Sequence, residues 1–317
     1  MILTPICPTT SAGCRCPASS ITSISKPGTG FPIDRTRTSD LLGFDAPTGN
    51  TYGSIATADY VLESAAALNV LVVGIGRVAQ DLLLWATTEV GYIRLADALV
   101  QTSSIMPQKR NPVALEHVRA LASKASAELS GLPLVMHNTP FGDIVDTEDD
   151  LQPLVFAMFR DATRAIGLVA SAMSSAEFDA AALEARAGHG WTTLTELADT
   201  LVRDHGLPFK TAHAIAAQFV GGRERQPDRG YAALLIDAST DILGAPLNYS
   251  EAQLEHILSP RHFVEVRTTY GGPAPSETAR AARVSGEQLE ADEAWWTDAT
   301  DALARSERTL AVRSAAL

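Results

Sequence analysis

Cysteine, aromatic side chains and positive charge are all scarce in this 317-residue chain, and each scarcity removes a class of function. The three cysteines, Cys7, Cys14 and Cys16, fall within the first sixteen residues. They give no disulfide framework, so a reducing cytoplasm is the expected compartment. Cys14 and Cys16 have no neighbouring cysteine or histidine to complete a zinc set, and no metal is expected. Lys and Arg number 25 against 37 Asp and Glu, a net charge of −12, and no basic run is interleaved with aromatics. Nucleic acid is therefore not an expected partner. The start of the chain, without a basic run leading into an apolar core, reads as a poor signal peptide. Long uninterrupted apolar runs are missing too. In AAALNVLVVGIGRVAQDLLLW (65–85), Asn69, Arg77, Gln80 and Asp81 break the run below the ~20 residues a membrane span needs, which predicts a buried helix and no membrane partner.

What the chain has instead is alanine and leucine at helical spacing. Residues 1–30 mix Pro, Ser, Thr, Cys and Gly without a period and predict an irregular segment, with periodic structure starting only after residue 50. Asp59 to Trp85 predicts one long helix, apolar on every face at Val70–Gly76, with Arg77 and Asp81 paired near its exit. Asn111 and Pro112 then predict a helix start, Val118, Leu121, Ala122, Ala125 and Leu129 one face, and Gly131 the end. Thr147 with Asp150 reads as a capping box opening another long helix, striped from Leu151 through Met158 and Ala162 to Met173. Beyond about residue 176 the helices shorten. They are expected at 193–205, at 209–220 stopping at Gly221-Gly222, from a Ser250/Gln253 box, and from about Ser285, with 259–275 irregular. No period-2 strand of useful length appears. The expectation is an all-α fold: a central helical bundle over 31–175 and a smaller helical domain over 176–317.

Several patterns compete for function. Gly74-x-Gly76-x-x-Ala79 imitates a dinucleotide fingerprint, with Asp97 as the acidic residue of a nucleotide-binding oxidoreductase, but it lacks βαβ context and reads better as helix packing. The seven histidines (His117, His137, His189, His205, His213, His256 and His262) show no metal spacing. Of these, His137 stands out, in a polar loop beside Asn138 and Asp143. Asp146, Glu148, Asp149 and Asp150 fit a negative first helical turn better than a cation site. The string QTSSIMPQKRNP (101–112) is different. It supplies hydroxyls, a turn-prone backbone, Lys109, Arg110 and an amide at Asn111, a set that would stabilise an anion such as a carboxylate gaining charge.

The stretch SSIMPQKRNP (103–112) resembles the signature loop of the fumarase/aspartase superfamily, and its Gln-Lys-Arg version is in the argininosuccinate lyase style. GTGFPIDRTRTSDLLGF (28–44), QDLLLW (80–85) and TELADTLVRDHGLPFKTAHAIA (195–216) resemble argininosuccinate lyase in the same order, so the likeness runs over about 28–285. It implies a helical-bundle homotetramer in the cytoplasm, working without cofactor or metal. The implied reaction is a β-elimination that breaks a C–N bond of an N-substituted aspartate and releases fumarate, as in arginine biosynthesis. It also implies that Ser103 is the base taking the Cβ proton and that Glu116 matches a residue pairing with a catalytic histidine. Ser104, Met106, Lys109 and Asn111 would hold the dicarboxylate.

The sequence departs from that pattern at three places. Thr102 stands where the family usually has glycine. The segment VMHNTPFGDIVDTEDDLQPL and the stretch 258–275 look closer to ethylenediamine-disuccinate (EDDS) lyase, which leaves the substrate open between argininosuccinate and another N-substituted aspartate. The family's Ser-Arg-Asn-Asp motif and the Thr-His motif with the catalytic histidine occur nowhere in the chain. The resemblance therefore leads us to expect a fragment with a misassigned or shifted start, inactive alone, or else a structural protein derived from the lyase fold.

Overall fold

The structure, a computed structural model, describes residues 30–142 and 145–316, with backbone alone at 145–149. The expectations for residues 1–29, including the cysteines, for Asp143, and for the Thr147 side chain lie outside the described residues. The described chain is all-α, as the composition predicted. Its helices are α1 (Arg35–Leu42), α2 (Thr51–Ala56), α3 (Asp59–Trp85), α4 (Val113–Met136), α5 (Val145–Ser175), α6 (Ala180–Ala187), α7 (Thr195–His205), α8 (Phe209–Arg225), α9 (Tyr231–Leu243), α10 (Glu251–Ile257), α11 (Pro260–Glu265) and α12 (Pro275–Ala315). The described strands are two-residue ladders: β1 (Ile93–Arg94) pairs with β4 (Glu177–Phe178), and β2 (Gln101–Thr102) with β3 (Arg110–Asn111). Contacts divide the chain into two compact units. Asp179–Glu287 forms one, and the residues before it group with those from Gln288 onward.

The first unit is built on α3, α4 and α5. Val61, Ala65, Val72, Ile75, Ala79 and Leu82 form the buried face of α3. The first five meet Val118, Ala122 and Ala125 of α4 and Leu151, Met158 and Ala162 of α5, and Leu82 packs in a cluster with Leu115 and Ala172. By length and hydropathy alone α3 could cross a membrane, but this face packs in the bundle. Val70, Leu71, Val73 and Leu84 stay exposed on its other side, so α3 is not enclosed all round by the described residues. The expected Arg77–Asp81 pair is absent from the ion pairs of the described residues.

Tertiary packing overrides several local signals. Gly131 does not end α4, which continues to Met136 through Pro133. Its lack of a side chain serves α5, because a Cβ there would lie 3.2 Å from Leu154 Cδ1. Asn111 is not the cap of α4; it lies in β3, and Pro112 takes the cap position without a side-chain hydrogen bond. Gly74 and Gly76 sit inside α3, which removes the strand a dinucleotide fingerprint needs. A helix also forms before residue 50. Asp34 accepts the Arg37 N–H at 3.0 Å to start α1, and Gly43 ends it at φ 83°, a left-handed conformation glycine adopts without strain.

Asp161 is a buried carboxylate of α5 facing α4. Arg160 Nε donates to it at 2.9 Å, Lys124 Nζ donates from α4, and Arg164 approaches at 3.5 Å. The hydrogen bonds from Arg160 first, then Lys124, hold its carboxyl well below the usual aspartate range. Because the folded pKa is lowered, the linked stability is complete above the unfolded aspartate pKa of about 3.9 and drains as pH falls towards the folded value. Denaturant titrations at stepped pH are expected to give Asp161→Asn a flatter decline than the parent between about pH 4 and 2. Parallel declines would show that the carboxylate is not what titrates.

In the second unit α7, α8, α9 and α10 enclose Leu197, Leu201, Ile215, Phe219, Leu235 and Leu254. α10 starts on the predicted capping box, with Ser250 and Gln253 bonding reciprocally. α8 runs past Gly221-Gly222 to Arg225, because Gly222 admits Leu234 of α9, whose Cδ2 would be 3.1 Å from a Cβ. The stretch expected to be irregular holds α11, and the last helix starts at Pro275, ten residues before the serine expected to open it.

Candidate active site

The signature string folds as a hairpin. Gln101 pairs with Asn111 and Thr102 with Arg110, so residues 103–109 form its tip. Pro107 and two serines leave this tip no continuous ladder, and it closes on a turn in which the Lys109 N–H donates to the Met106 carbonyl at 3.0 Å. Ser103 Oγ accepts the backbone N–H groups of Ile105 and Met106, each at 3.2 Å. Two N–H dipoles converging on one hydroxyl oxygen are the arrangement that favours its anionic form. Thr102 lies in the extended ladder, outside the left-handed region, so the residue that replaces the family's glycine carries no backbone strain here.

The two cations of the string have different tasks. Arg110 Nη1 pairs with Asp97 at 2.5 Å and Nη2 donates to the Leu95 carbonyl at 2.9 Å. Asp97, considered above for a nucleotide ribose, is therefore an anchor for the hairpin, and its carboxyl is held below the usual range by Arg110. Lys109 is exposed and forms no ion pair among the described residues, leaving its ammonium open to a ligand. Asn111 is half-buried in β3, and Glu116 is exposed in the first turn of α4. The hairpin thus gathers Ser103, Ser104, Met106, Lys109 and Asn111, while Glu116 stands apart on the adjoining helix. Ile105, at the tip, is 87% exposed.

His137 caps the end of α4, its Nδ1 3.1 Å from the Leu134 carbonyl oxygen. It lines a cavity of about 590 Å³ with Tyr60, Met136, Phe141, Leu151 and Gln152, among others. The cavity draws on three separated segments, so no local pattern marked it. Sequence reading also missed the setting of His262. Its ring lies 4.3 Å from that of His256, and its Nε2 is 3.6 Å from the buried Glu196 carboxylate.

Comparison with known proteins places this geometry. A family described as "Lyase" matches residues 15–126, beginning upstream of residue 28, and one described as "Argininosuccinate lyase C-terminal" matches 191–265. The chain is 41% identical to argininosuccinate lyase 2 of Agrobacterium fabrum over 80% of its own length and 51% of that protein. With argininosuccinate lyase of Methanoculleus marisnigri it shares 36% identity over 87% of itself and 55% of the relative. The chain thus spans about half the length of these curated relatives. Among solved structures, a substituted EDDS lyase with bound fumarate superposes at a TM-score of 0.78 and 31% identity, covering 90% of this chain and 57% of that one.

Proposed function

Because the chain belongs to the argininosuccinate lyase family of the fumarase/aspartase superfamily, we propose that its hairpin is the base-bearing part of a carbon–nitrogen lyase site. The substrate is an N-substituted aspartate. Ser103 removes the Cβ proton, the electron pair left behind delocalises into the adjacent carboxylate, the Cα–N bond breaks, and an amine and fumarate leave. A serine hydroxyl is too weak an acid to ionise at neutral pH without help. The observation that carries the reading is the pair of N–H groups, from Ile105 and Met106, aimed at Ser103 Oγ. The Lys109 ammonium and Asn111 amide oppose the charge growing on the substrate carboxylate. Glu116 orients the histidine that handles the other proton. Closure of the hairpin excludes water.

The Ser-Arg-Asn-Asp and Thr-His groups that complete such a site do not occur in this sequence. A cytoplasmic tetramer brings such groups from neighbouring subunits and covers the exposed apolar face of α3. The test mixes this protein with the Agrobacterium relative carrying alanine at its own loop serine, and follows fumarate release from argininosuccinate and from EDDS. The mixture is expected to turn over one of them while each protein alone does not. A silent mixture overturns the lyase reading, and turnover by this chain alone overturns the shared site.

A further inference from the structure

The register of the signature hairpin brings a residue from outside the serine–asparagine string to the side of Asn111. In an antiparallel ladder, residues directly opposite one another carry their side chains on the same face, with Cβ atoms about 5 Å apart, and successive residues alternate faces. Gln101 lies opposite Asn111, and Thr102 opposite Arg110. The hairpin therefore has two unlike faces. Thr102 and Arg110 share one, and it is turned towards the preceding chain, because Arg110 is tied to Asp97 and to the Leu95 carbonyl. Gln101 and Asn111 share the other. Carrying the alternation one position beyond each strand puts Ser103 and Lys109 on that same face.

Hydrogen bonding separates the faces as well. Among the described residues, the side-chain amides of Gln101 and Asn111 and the Lys109 ammonium make no hydrogen bond or ion pair, whereas Arg110 spends its guanidinium on the chain beneath. A lone exposed glutamine is ordinarily a solvated side chain. This one stands beside Asn111, is one methylene longer, and faces the same way as the serine and the lysine. A carboxylate has two oxygens and room for about four N–H donors, more than one amide and one ammonium supply at a single approach.

We propose that Gln101 is a further substrate-binding residue, its amide N–H donating to the carboxylate that Lys109 and Asn111 hold. The assignment rests on the lyase reading of the hairpin. As the electron pair from Cβ delocalises into that carboxylate, its oxygens become better acceptors, so the Gln101 bond strengthens towards the transition state.

The test uses the mixed assembly described above, in which the relative lacks its loop serine and turnover runs through this chain's hairpin. A hydrogen bond to a charged group is worth about 10- to 100-fold, so Gln101→Leu is expected to lower kcat/KM by that factor, with kcat falling as well as KM rising. Gln101→Glu, which sets a negative charge against the carboxylate, should fall at least tenfold further. Thr102→Val, on the opposite face, should stay within twofold of the parent. Hydrogen exchange at the Ile105 and Met106 amides should be the same in all three variants. Gln101→Leu and Gln101→Glu both within threefold of an active parent would overturn this assignment alone. Equal losses in the two, with faster exchange at Ile105 and Met106, would mean that Gln101 only holds the hairpin together, and would overturn it too. A parent mixture without turnover overturns the lyase reading and this assignment with it.

Discussion

Replacing Ser103 by alanine is expected to lower fumarate release in the mixed assembly by at least 10³-fold, about 4 kcal/mol of barrier, while its mass is unchanged. No neighbouring group stands ready as a substitute. Ser104, the adjacent hydroxyl, receives no hydrogen bond from the two N–H groups that converge on Ser103. A methyl group also leaves those donors without their acceptor, which relaxes the turn at Ile105 and Met106. Lys109→Met should behave differently, raising KM as well as lowering kcat, because an ammonium facing a carboxylate already acts in the ground state and acts more strongly on the charge that grows in the transition state. Rates within threefold of the parent for Ser103→Ala would remove this residue as the base.

The second large effect is on stability. Glu196, in the first turn of α7, has 0% of its surface exposed. Arg267 Nη1 donates to it at 2.7 Å, Thr200 Oγ1 at 3.3 Å, and Arg203 Nη2 makes a further ion pair. Arg267 also lies over the Phe263 ring at 3.5 Å and donates to the Phe263 carbonyl at 2.6 Å, so this carboxylate ties α7 to α11 and the stretch of chain after it. Removing one member of such a set leaves charges facing a dry pocket, at 3–5 kcal/mol for a fully buried pair. Because Arg203 is half exposed, about 3 kcal/mol is the expected cost of Glu196→Ala, or a Tm lower by roughly 10 °C in a unit of this size. Hydrogen exchange should rise across residues 179–287. A shift under 2 °C would mean the arginines find water at no cost.

These two sites were not equally open to sequence reading. The hairpin string was legible because its chemistry is contiguous: one short stretch carries hydroxyl, cation and amide, whatever surrounds it. α3 was legible for a related reason, since a long run of helix formers with one buried stripe needs no distant partner to be recognised. Glu196 was not, because Arg267 lies 71 residues away along the chain, and only folding brings it to the carboxylate that Arg203 reaches from the same helix. Helix ends failed at Gly131 and Gly222 for the opposite reason. A glycine read as a stop is, in the folded chain, the place where Leu154 or Leu234 of the next helix comes close. α1 was missed because most of its residues are polar, so that it shows no apolar period; it is set by the cap at Asp34 and the turn at Gly43.

The bonds from Arg110 to Asp97 and to the Leu95 carbonyl give the signature hairpin a pinned base. Pinning both ends leaves a tether of only seven residues, 103–109, whose freedom is already cut to that of a small ring. Under the proposed function, shutting such a flap over a bound dicarboxylate would forfeit little disorder, so weak attractions at its rim would suffice to latch it, and the same brevity would let it spring open once the amine had gone.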